Sequence, residues 1–153
     1  MQIRHLRHNE IDYSLWDKCI TNAKNSLVYA STWYLDVVSP DWEALVAGNY
    51  EYIMPLPVKS KFGIKYIVQP VLTQQLGIFS EEPIDSDVVD SFIRAIPYWS
   101  YEMNLNESNY AEKAEKRPNL LIDLNYPYDY LMSNFSVNTK RNIAKSEQKQ
   151  LTI

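Results

Sequence analysis

Pro55 and Pro57 constrain the fold of this chain more than any other feature of its sequence. The Gly-Asn pair at 48–49 is a two-residue turn signal, so residues 42–47 and 50–58 are predicted to pair as an antiparallel β-hairpin. The two prolines are two residues apart in the second strand, so their backbone nitrogens face the same neighbouring strand. Neither nitrogen carries a hydrogen to donate. That side cannot be paired there, which predicts an edge, a bulge or a place where the sheet splays open.

Helical and strand patterns alternate along the rest of the chain. Several segments have apolar residues at helical spacing after a capping residue or a proline, and others are short β-branched or alternating runs. Helices are predicted at 11–22 after Asn9, at 33–38 after Ser31 or Thr32, at 86–96 after Asp85 or Ser86, from Pro127, and at 137–150 after Ser136. Strands are predicted at 2–5, 64–69, 99–105 and 120–124, helical turns within 110–117, and the opening of a further strand at 151–153.

The composition excludes several classes of protein. The first segment, MQIRHLRHNE, is charged and has no apolar centre, so it is not a signal peptide. No run approaches the roughly 18 apolar residues of a membrane span. The single Cys19 cannot form an internal disulfide. These features predict a soluble, cytoplasmic protein, and 153 residues are enough to bury one core without staples.

The residues that several kinds of catalysis need are missing. His5 and His8 are the two histidines, and no cysteine or acidic cluster accompanies them, so no metal site is predicted. A Ser-His-Asp hydrolase needs a downstream histidine or a nucleophile elbow, and the sequence has neither. Three glycines are too few for several Gly-rich phosphate loops. The segment from residue 136 onward carries +3 and the preceding 135 residues carry −7, and nothing indicates DNA as the principal partner.

Thr73, Gln74 and Gln75 form the most suggestive polar segment. They follow the apolar run that ends at Pro70 and precede Gly77 and a second short apolar pair. Three adjacent hydrogen-bonding side chains between buried segments are costly unless they find partners. Two interpretations stay open: they satisfy one another and the backbone at a strand end, or they line a groove and contact a ligand.

Four further residues are candidates for binding. Trp33 and Tyr34 start a short helix just after its cap, where aromatic side chains either face a cleft or pack against the sheet. Lys140 and Arg141 lie on the last helix and either contact a phosphate group or belong to a solvated helix face. The Cys19 thiol is interpreted as a core group rather than a reactive one.

The chain resembles a known family. The element order β-α-α-β-β-β-α-β with a splayed sheet is that of the GNAT acyltransferase fold, an α/β (α+β) fold with a mixed, mostly antiparallel sheet flanked by helices. The runs SLVYASTWYLDVVSPDWEALVAGNYEYIMPLPVKSKFGIKYIVQPVLTQQLGIFS and YDYLMSNFSVNTKRNIAKSEQ resemble the first half of Fem-like N-acyltransferases of Bacteroidetes-type bacteria. In that group WYLD, the WEAL strand, MPLP, QP..TQQLG and N.KRNI.K recur in this order.

The resemblance implies a function and a domain organisation. Residues 1–135 would be a GNAT-like domain, and 136–153 a connecting helix and the start of a second, truncated GNAT-like domain of the same chain. The full enzyme would move an acyl or aminoacyl group from acyl-CoA or aminoacyl-tRNA onto an amine. This domain would mainly form the acceptor groove, with Trp33 and Tyr34 as walls, Thr73, Gln74 and Gln75 as polar contacts, and Lys140 and Arg141 near phosphate at the domain junction.

One departure from the GNAT pattern affects the cofactor. GNAT enzymes hold the CoA pyrophosphate on a Gln/Arg-x-x-Gly-x-Gly/Ala loop whose free amides meet the anion. Here the nearest match runs from Gln74 to Phe79, and Phe79 stands where a small residue should allow close approach. The expectation is that this domain alone binds no acyl-CoA and is inactive by itself.

A hypothesis of a different class stands beside the enzyme. A GNAT scaffold without a donor loop could be a non-catalytic module that binds a ligand or a protein. The loss of a second domain would also expose an interface, which favours a homodimer.

Overall fold

The computed structural model describes residues 1–112 and 114–150, and its contacts divide between Ala114 and Glu115 into two compact units. We call residues 1–114 unit 1 and the residues from Glu115 onward unit 2. The described residues form a mixed α+β structure with five α-helices. The strands of unit 1 are β1 (Ile3–Leu6), β2 (Glu43–Ala47), β3 (Tyr52–Leu56), β4 (Val58–Lys61), β5 (Ile64–Val68), β6 (Phe79–Ser80) and β7 (Tyr101–Glu102). Its helices are α1 (Tyr13–Asn22), α2 (Thr32–Val38) and α3 (Ser86–Ala95), and unit 2 contains α4 (Tyr128–Asn134) and α5 (Val137–Gln148).

Strands β1, β2, β3 and β6 form one antiparallel sheet in that order, which we call sheet A. The predicted hairpin is present as β2 and β3, but its connection has four residues instead of two, because Ala47 pairs with Tyr52. Tyr50 explains the longer turn. Its backbone has a left-handed φ of 65°, and its buried side chain accepts a hydrogen bond from the amide of Asp12 at 2.8 Å.

The predicted gap in the sheet is confirmed at the two prolines. Strand β6 pairs with β3 only at Tyr52 and Ile53, before Pro55 is reached. Pro57 lies between β3 and β4, and β4 belongs to a second sheet with the order β4-β5-β7, which we call sheet B. A strand that loses its donors on one side cannot hold a neighbour there, so the chain leaves sheet A and pairs elsewhere.

Sheet A is covered on both faces, which is why every residue of β2 is buried. One face, with Ala44 and Val46, packs in a core that includes Trp16 of α1 and Leu35 of α2. The opposite face packs against α3 through a second core. That second core contains Leu45, Ala47, Met54, Leu56, Val58, Ile67, Ile78, Val89 and Phe92. Full burial of each large apolar side chain contributes roughly 1.5–3 kcal/mol, so these two layers hold unit 1 together.

The start of the first long helix differs from the prediction. Asp12, not Asn9, caps α1, and its carboxylate accepts a hydrogen bond from the amide of Leu15 at 3.0 Å. Asn9 lies instead in a short 3-10 turn, His8–Glu10. Caps of α3 and α5 are as predicted, with Asp85 bonded to the amide of Val88 and Ser136 to that of Thr139.

The strand predicted at 99–105 is largely wrong. Only Tyr101 and Glu102 pair with β5, in parallel, and Trp99 is 100% exposed. Leu105 forms an isolated parallel bridge with Leu76. The reason is a change of partner, because residues 104 and 106 bond to the backbone of Leu76 instead of continuing along β5. Within 110–117 the described residues form one hydrogen-bonded turn, in which the amide of Ala114 donates to the carbonyl of Ala111 at 3.1 Å, and no helix.

Unit 2 is polar and thinly packed. Pro127 precedes α4 and Ser136 caps α5, as predicted, and no residue of either helix is buried. The strand predicted at 120–124 is not formed, and Leu120 is 92% exposed because an apolar run becomes a strand only where a partner strand covers it. The boundary predicted between residues 135 and 136 stays a prediction, and the strand predicted at 151–153 lies outside the described residues. Each helix within 1–112 and 114–150 is too short or too polar to cross a membrane.

Candidate functional site

Trp33 and Tyr34 lie in the first turn of α2, and their rings form an exposed aromatic cluster with Tyr29. The ring centroids of Tyr29 and Tyr34 are 5.5 Å apart, and those of Trp33 and Tyr34 are 5.6 Å apart, both edge to face. Trp33 is 62% exposed, so it does not pack in the core. The hydroxyl of Tyr34 donates a hydrogen bond to the carbonyl of Leu72 at 2.6 Å. This bond joins the start of α2 to the segment that precedes Thr73.

Thr73 is buried in that segment, and its hydroxyl has no hydrogen-bond partner among the described residues. Its carbonyl accepts a hydrogen bond from the side-chain nitrogen of Gln69 at 3.0 Å. The side-chain oxygen of Gln69 accepts a hydrogen bond from the backbone amide of Asn104 at 3.0 Å. Gln74 is exposed and Gln75 is half-buried. The backbone of this segment is therefore held by Gln69, while the Thr73 hydroxyl keeps an unused hydrogen-bonding capacity.

We call Trp33, Tyr34, Thr73, Gln74 and Gln75 together the Trp33/Gln75 surface. The bond from Tyr34 to Leu72 brings the two predicted segments next to each other. Leu72 adopts a left-handed φ of 66°, which costs a non-glycine residue roughly 1–2 kcal/mol, and its side chain is 84% exposed. Strained backbone positions often cluster at binding and catalytic sites, so Leu72 marks this surface as a candidate.

Lys140 and Arg141 lie on α5 in unit 2, and both are exposed. The ammonium of Lys140 donates to the carbonyl of Ser133 at 2.9 Å, and the guanidinium of Arg141 donates to the side chain of Asn138 at 2.6 Å. Both contacts are local to unit 2, and the solvated-face interpretation describes them well. Their predicted contact with phosphate stays a prediction.

The segment from Gln74 to Phe79 does not fit the pyrophosphate of acyl-CoA. A pyrophosphate loop offers free backbone amides, but here two of them already have partners in the protein. The amide of Leu76 donates to the carbonyl of Asn104 at 2.8 Å, and that of Ile78 to the side chain of Asn109 at 2.5 Å. Phe79 is completely buried.

Three asparagines fix this segment in place. The side chain of Asn109 also donates to the carbonyl of Ile78, and Asn106 donates to the carbonyls of both Leu76 and Ile78. Asn25 donates to the same Ile78 carbonyl at 2.8 Å. Side-chain amides that are satisfied in this way stabilise the fold, and here they occupy the amide of Ile78 and the carbonyls of Leu76 and Ile78.

Sequence reasoning missed a buried carboxylate at the start of β2. The side chain of Glu43 is 5% exposed and accepts three hydrogen bonds. They come from His5 at 2.6 Å, from the Lys65 ammonium at 2.7 Å and from the Tyr98 hydroxyl at 2.5 Å. The Lys65 side chain is 49% exposed and forms an ion pair with this carboxylate. The one sequence feature that could have indicated a buried carboxylate is the single acid at the start of the apolar run EALVA.

The partners of Glu43 control its protonation. Burial by itself would raise the pKa of this carboxyl, but the hydrogen bonds from Lys65, Tyr98 and His5 outweigh it and hold the pKa below its ordinary value. Burial and the bond to the same carboxylate raise the pKa of Tyr98. Glu43 is therefore ionised and Tyr98 is neutral at pH 7.

An open cleft of about 430 Å³ lies beside this carboxylate, at the end of sheet A where β4 departs. We call it the β4 cleft. Its lining comes from the chain just after β1, from the start of β2, and from β4 and β5. The residues are Arg7, His8, Asn9, Asp41, Glu43, Val58, Lys59, Ser60 and Lys65.

A second polar network lies next to His8. The Tyr13 hydroxyl donates to Asp36 at 2.8 Å and also contacts His8 at 3.2 Å. The Trp42 indole donates to the same carboxylate oxygen at 2.8 Å, and a ring nitrogen of His8 lies 3.1 Å from the Trp42 carbonyl. Burial and Asp36 raise the pKa of Tyr13 to about 12, so this tyrosine is neutral at pH 7. Its network connects α1 and α2 to Trp42, the residue before β2.

No group of three or more metal-ligating side chains occurs within residues 1–112 and 114–150.

No family model, no curated protein and no solved structure matches this chain.

Proposed function

We propose that this chain is the N-terminal part of a Fem-like N-acyltransferase, and that the Trp33/Gln75 surface of unit 1 contributes to the groove for the amine-bearing acceptor. The hydrogen bond from Tyr34 to the carbonyl of Leu72 carries the proposal, because it joins the two segments that the resemblance assigns to the groove. The interruption of the sheet at Pro57 supports it as well, since a splayed sheet is part of the GNAT fold.

The residues of this surface suit an acceptor that carries an amine. An exposed aromatic face attracts a protonated amine by cation–π interaction, and Trp is the best side chain for this. Trp33 has such a face, with Tyr34 packed edge to face against it. The side-chain amide of Gln75, which is half-buried, would add hydrogen bonds, and the buried Thr73 would support the segment that carries it. Such a surface promotes transfer by positioning the amine, and needs no covalent intermediate.

The acyl donor would be held outside the segment 74–79. Acyl-CoA and aminoacyl-tRNA are the donors that the resemblance implies for the full enzyme, and the amides of Leu76 and Ile78 are not available to either. In this proposal, a second GNAT-like domain of the same chain supplies most of the donor contacts. Unit 1 alone then binds an acceptor and performs no transfer.

The same occupied amides favour a second candidate function. A unit that has the GNAT architecture and no free donor loop would serve as a non-catalytic module for a ligand or a protein partner. The two candidates differ in whether an acyl group is ever transferred, because both predict binding at the Trp33/Gln75 surface.

Binding and transfer are tested separately. A panel of short peptides and amino sugars, each with its N-acetylated counterpart, is titrated into the 153-residue protein by calorimetry. The proposal expects selective binding of free amines that Trp33→Ala weakens about tenfold. Trp99→Ala, at a fully exposed tryptophan outside this surface, should leave the binding unchanged. Equal binding of acetylated and free compounds would overturn the acceptor assignment.

The transfer assay uses the same panel with acetyl-CoA and with aminoacyl-tRNA. It is run with the 153-residue protein and with a form extended through any coding sequence that follows. Transfer by an extended form alone supports the enzyme, and amine binding without transfer by either form supports the binding module. Tight binding of acetyl-CoA to the 153-residue protein would contradict the assignment of the donor site elsewhere.

A further inference from the structure

We propose that the β4 cleft binds a small oxyanion, the carboxylate or phosphate group of a ligand. The inference concerns a site that the proposed acyl transfer does not use, so it stands or falls independently. It rests on the charges that line the cleft, on the geometry of Lys65, and on the origin of the cleft in the broken sheet.

Three basic side chains line the cleft, and only one of them is neutralised. Lys65 is paired with Glu43 at 2.7 Å. In the part of the chain that the structure describes, neither Arg7 nor Lys59 has a carboxylate within ion-pair distance. The positive charge of Arg7 lowers the pKa of Tyr98, although burial and Glu43 raise that pKa by more. Arg7 therefore acts electrostatically on the groups beside the cleft. An anion that enters the cleft therefore meets two uncompensated cations.

The two acids of the lining do not reverse this balance. Glu43 is buried, and its oxygens already accept hydrogen bonds from His5, Lys65 and Tyr98. Asp41 is exposed at the rim, where water screens its charge. Among its lysine, arginine, aspartate and glutamate side chains, the lining carries three positive and two negative charges. Because Glu43 is buried and already bonded, the accessible charges of the lining are three positive and one negative, which favours an anion over a cation.

Glu43 gives Lys65 a fixed position. An ammonium has three donors, and the bond to Glu43 uses one of them. The side chain of Lys65 is 49% exposed, so its remaining donors are accessible from the cleft. A lysine held by a buried carboxylate loses less conformational entropy on binding than a free surface lysine. Lys65 is therefore the anchor of the site, with Arg7 and Lys59 beside it.

The broken sheet creates the space for the ligand. Leu56 is the last residue of β3 that pairs with β2, opposite Glu43, and after Pro57 the chain turns away as β4. The departure of β4 leaves an opening between Lys59 and the ends of β1 and β2. Its volume of about 430 Å³ lies within the roughly 300–1,000 Å³ that is usual for small-ligand sites.

The test is a titration followed by backbone amide NMR, with inorganic phosphate in one arm and succinate in the other. Sodium chloride at matched ionic strength is the control for general screening. We expect saturable shifts confined to residues that line the cleft, in one arm or in both. The arm with the lower dissociation constant identifies the anion as phosphate or carboxylate. Shifts that sodium chloride reproduces, or no saturable shift in either arm, would overturn the proposal.

Matched variants locate the site. Arg7→Gln and Lys59→Gln each remove a basic group from the cleft, and each should raise the dissociation constant about tenfold, as expected for a lost charge-assisted hydrogen bond. Lys61→Gln removes the same charge from the same strand, outside the cleft, and should change it less than about twofold. Equal losses in all three variants would assign the binding to general surface charge and contradict the site. Lys65 is left intact because its change would also unpair Glu43.

Discussion

The hydroxyl of Tyr98 donates a 2.5 Å hydrogen bond to Glu43, and so ties the segment after α3 to the first residue of β2. The carboxylate also receives bonds from His5 and Lys65, so it links four parts of unit 1. Glu43→Gln keeps the size of the side chain but removes its charge and some of its acceptor capacity. The free energy of unfolding at pH 7 should fall by about 2 kcal/mol, as measured by urea denaturation.

The same variant should change how stability depends on pH. The folded-state pKa of Glu43 lies below its unfolded value, so the unfolded chain binds the proton more readily. The stabilisation is therefore fully present above the unfolded pKa of about 4.3 and is lost as pH falls through the folded pKa. Denaturation between pH 3 and pH 7 should show a shallower loss of stability in Glu43→Gln than in the wild type. Parallel curves would show that Glu43 is not coupled to folding.

Gly77 should tolerate substitution far worse than Gly63. Both have a positive φ, 100° and 79°, so alanine at either position is strained. A Cβ at Gly77 would collide with the side-chain oxygen of Asn109, whereas nothing lies within 4 Å of one at Gly63. Gly63→Ala should lower the free energy of unfolding by about 1 kcal/mol, and Gly77→Ala by several. Similar losses, measured by thermal and urea unfolding, would contradict the close packing around Gly77.

The break in the sheet could be predicted because proline acts locally. Pro55 and Pro57 lack amide donors whatever the rest of the chain does, and the break occurs at Pro57 as the sequence indicates. Caps on α3 and α5 were predicted for the same reason, since a capping side chain needs only the next turn of the helix. The strand predicted at 99–105 failed because its pairing depends on two distant segments, β5 and Leu76.

The Glu43 cluster could not be predicted, because its partners are remote in sequence. His5, Lys65 and Tyr98 lie 38, 22 and 55 residues away from it. No periodicity links such positions, and a lysine near the start of a strand gives no sign of a buried partner. Trp33, Tyr34 and Thr73 could be nominated by residue type alone. The bond from Tyr34 to Leu72 that places them together is again a tertiary contact.

Tyr34→Phe should loosen the segment around Leu72 while leaving the core intact. The variant deletes one hydroxyl, whose bond to the Leu72 carbonyl holds that residue in its left-handed conformation. The free energy of unfolding should fall by only about 1 kcal/mol, but amide hydrogen exchange should accelerate at residues 71–75. Tyr29→Phe is the matched control, because its ring contacts Tyr34 and its hydroxyl bonds to no described residue. Equal acceleration by both variants would show that the hydrogen bond to Leu72 is not what orders this segment.

Cys19 should be a slow nucleophile in the folded protein. Burial, with a smaller contribution from the charge of Glu81, raises the pKa of its thiol from 9.0 to about 11. At pH 8 this lowers the thiolate population on the order of 100-fold relative to the unfolded chain, and the thiolate is the reactive form. Alkylation by iodoacetamide should therefore be at least about tenfold slower in buffer than in urea. Glu81→Gln should accelerate the native reaction only modestly, because burial is the larger cause, and a native rate equal to the denatured one would show that the thiol is accessible and unperturbed.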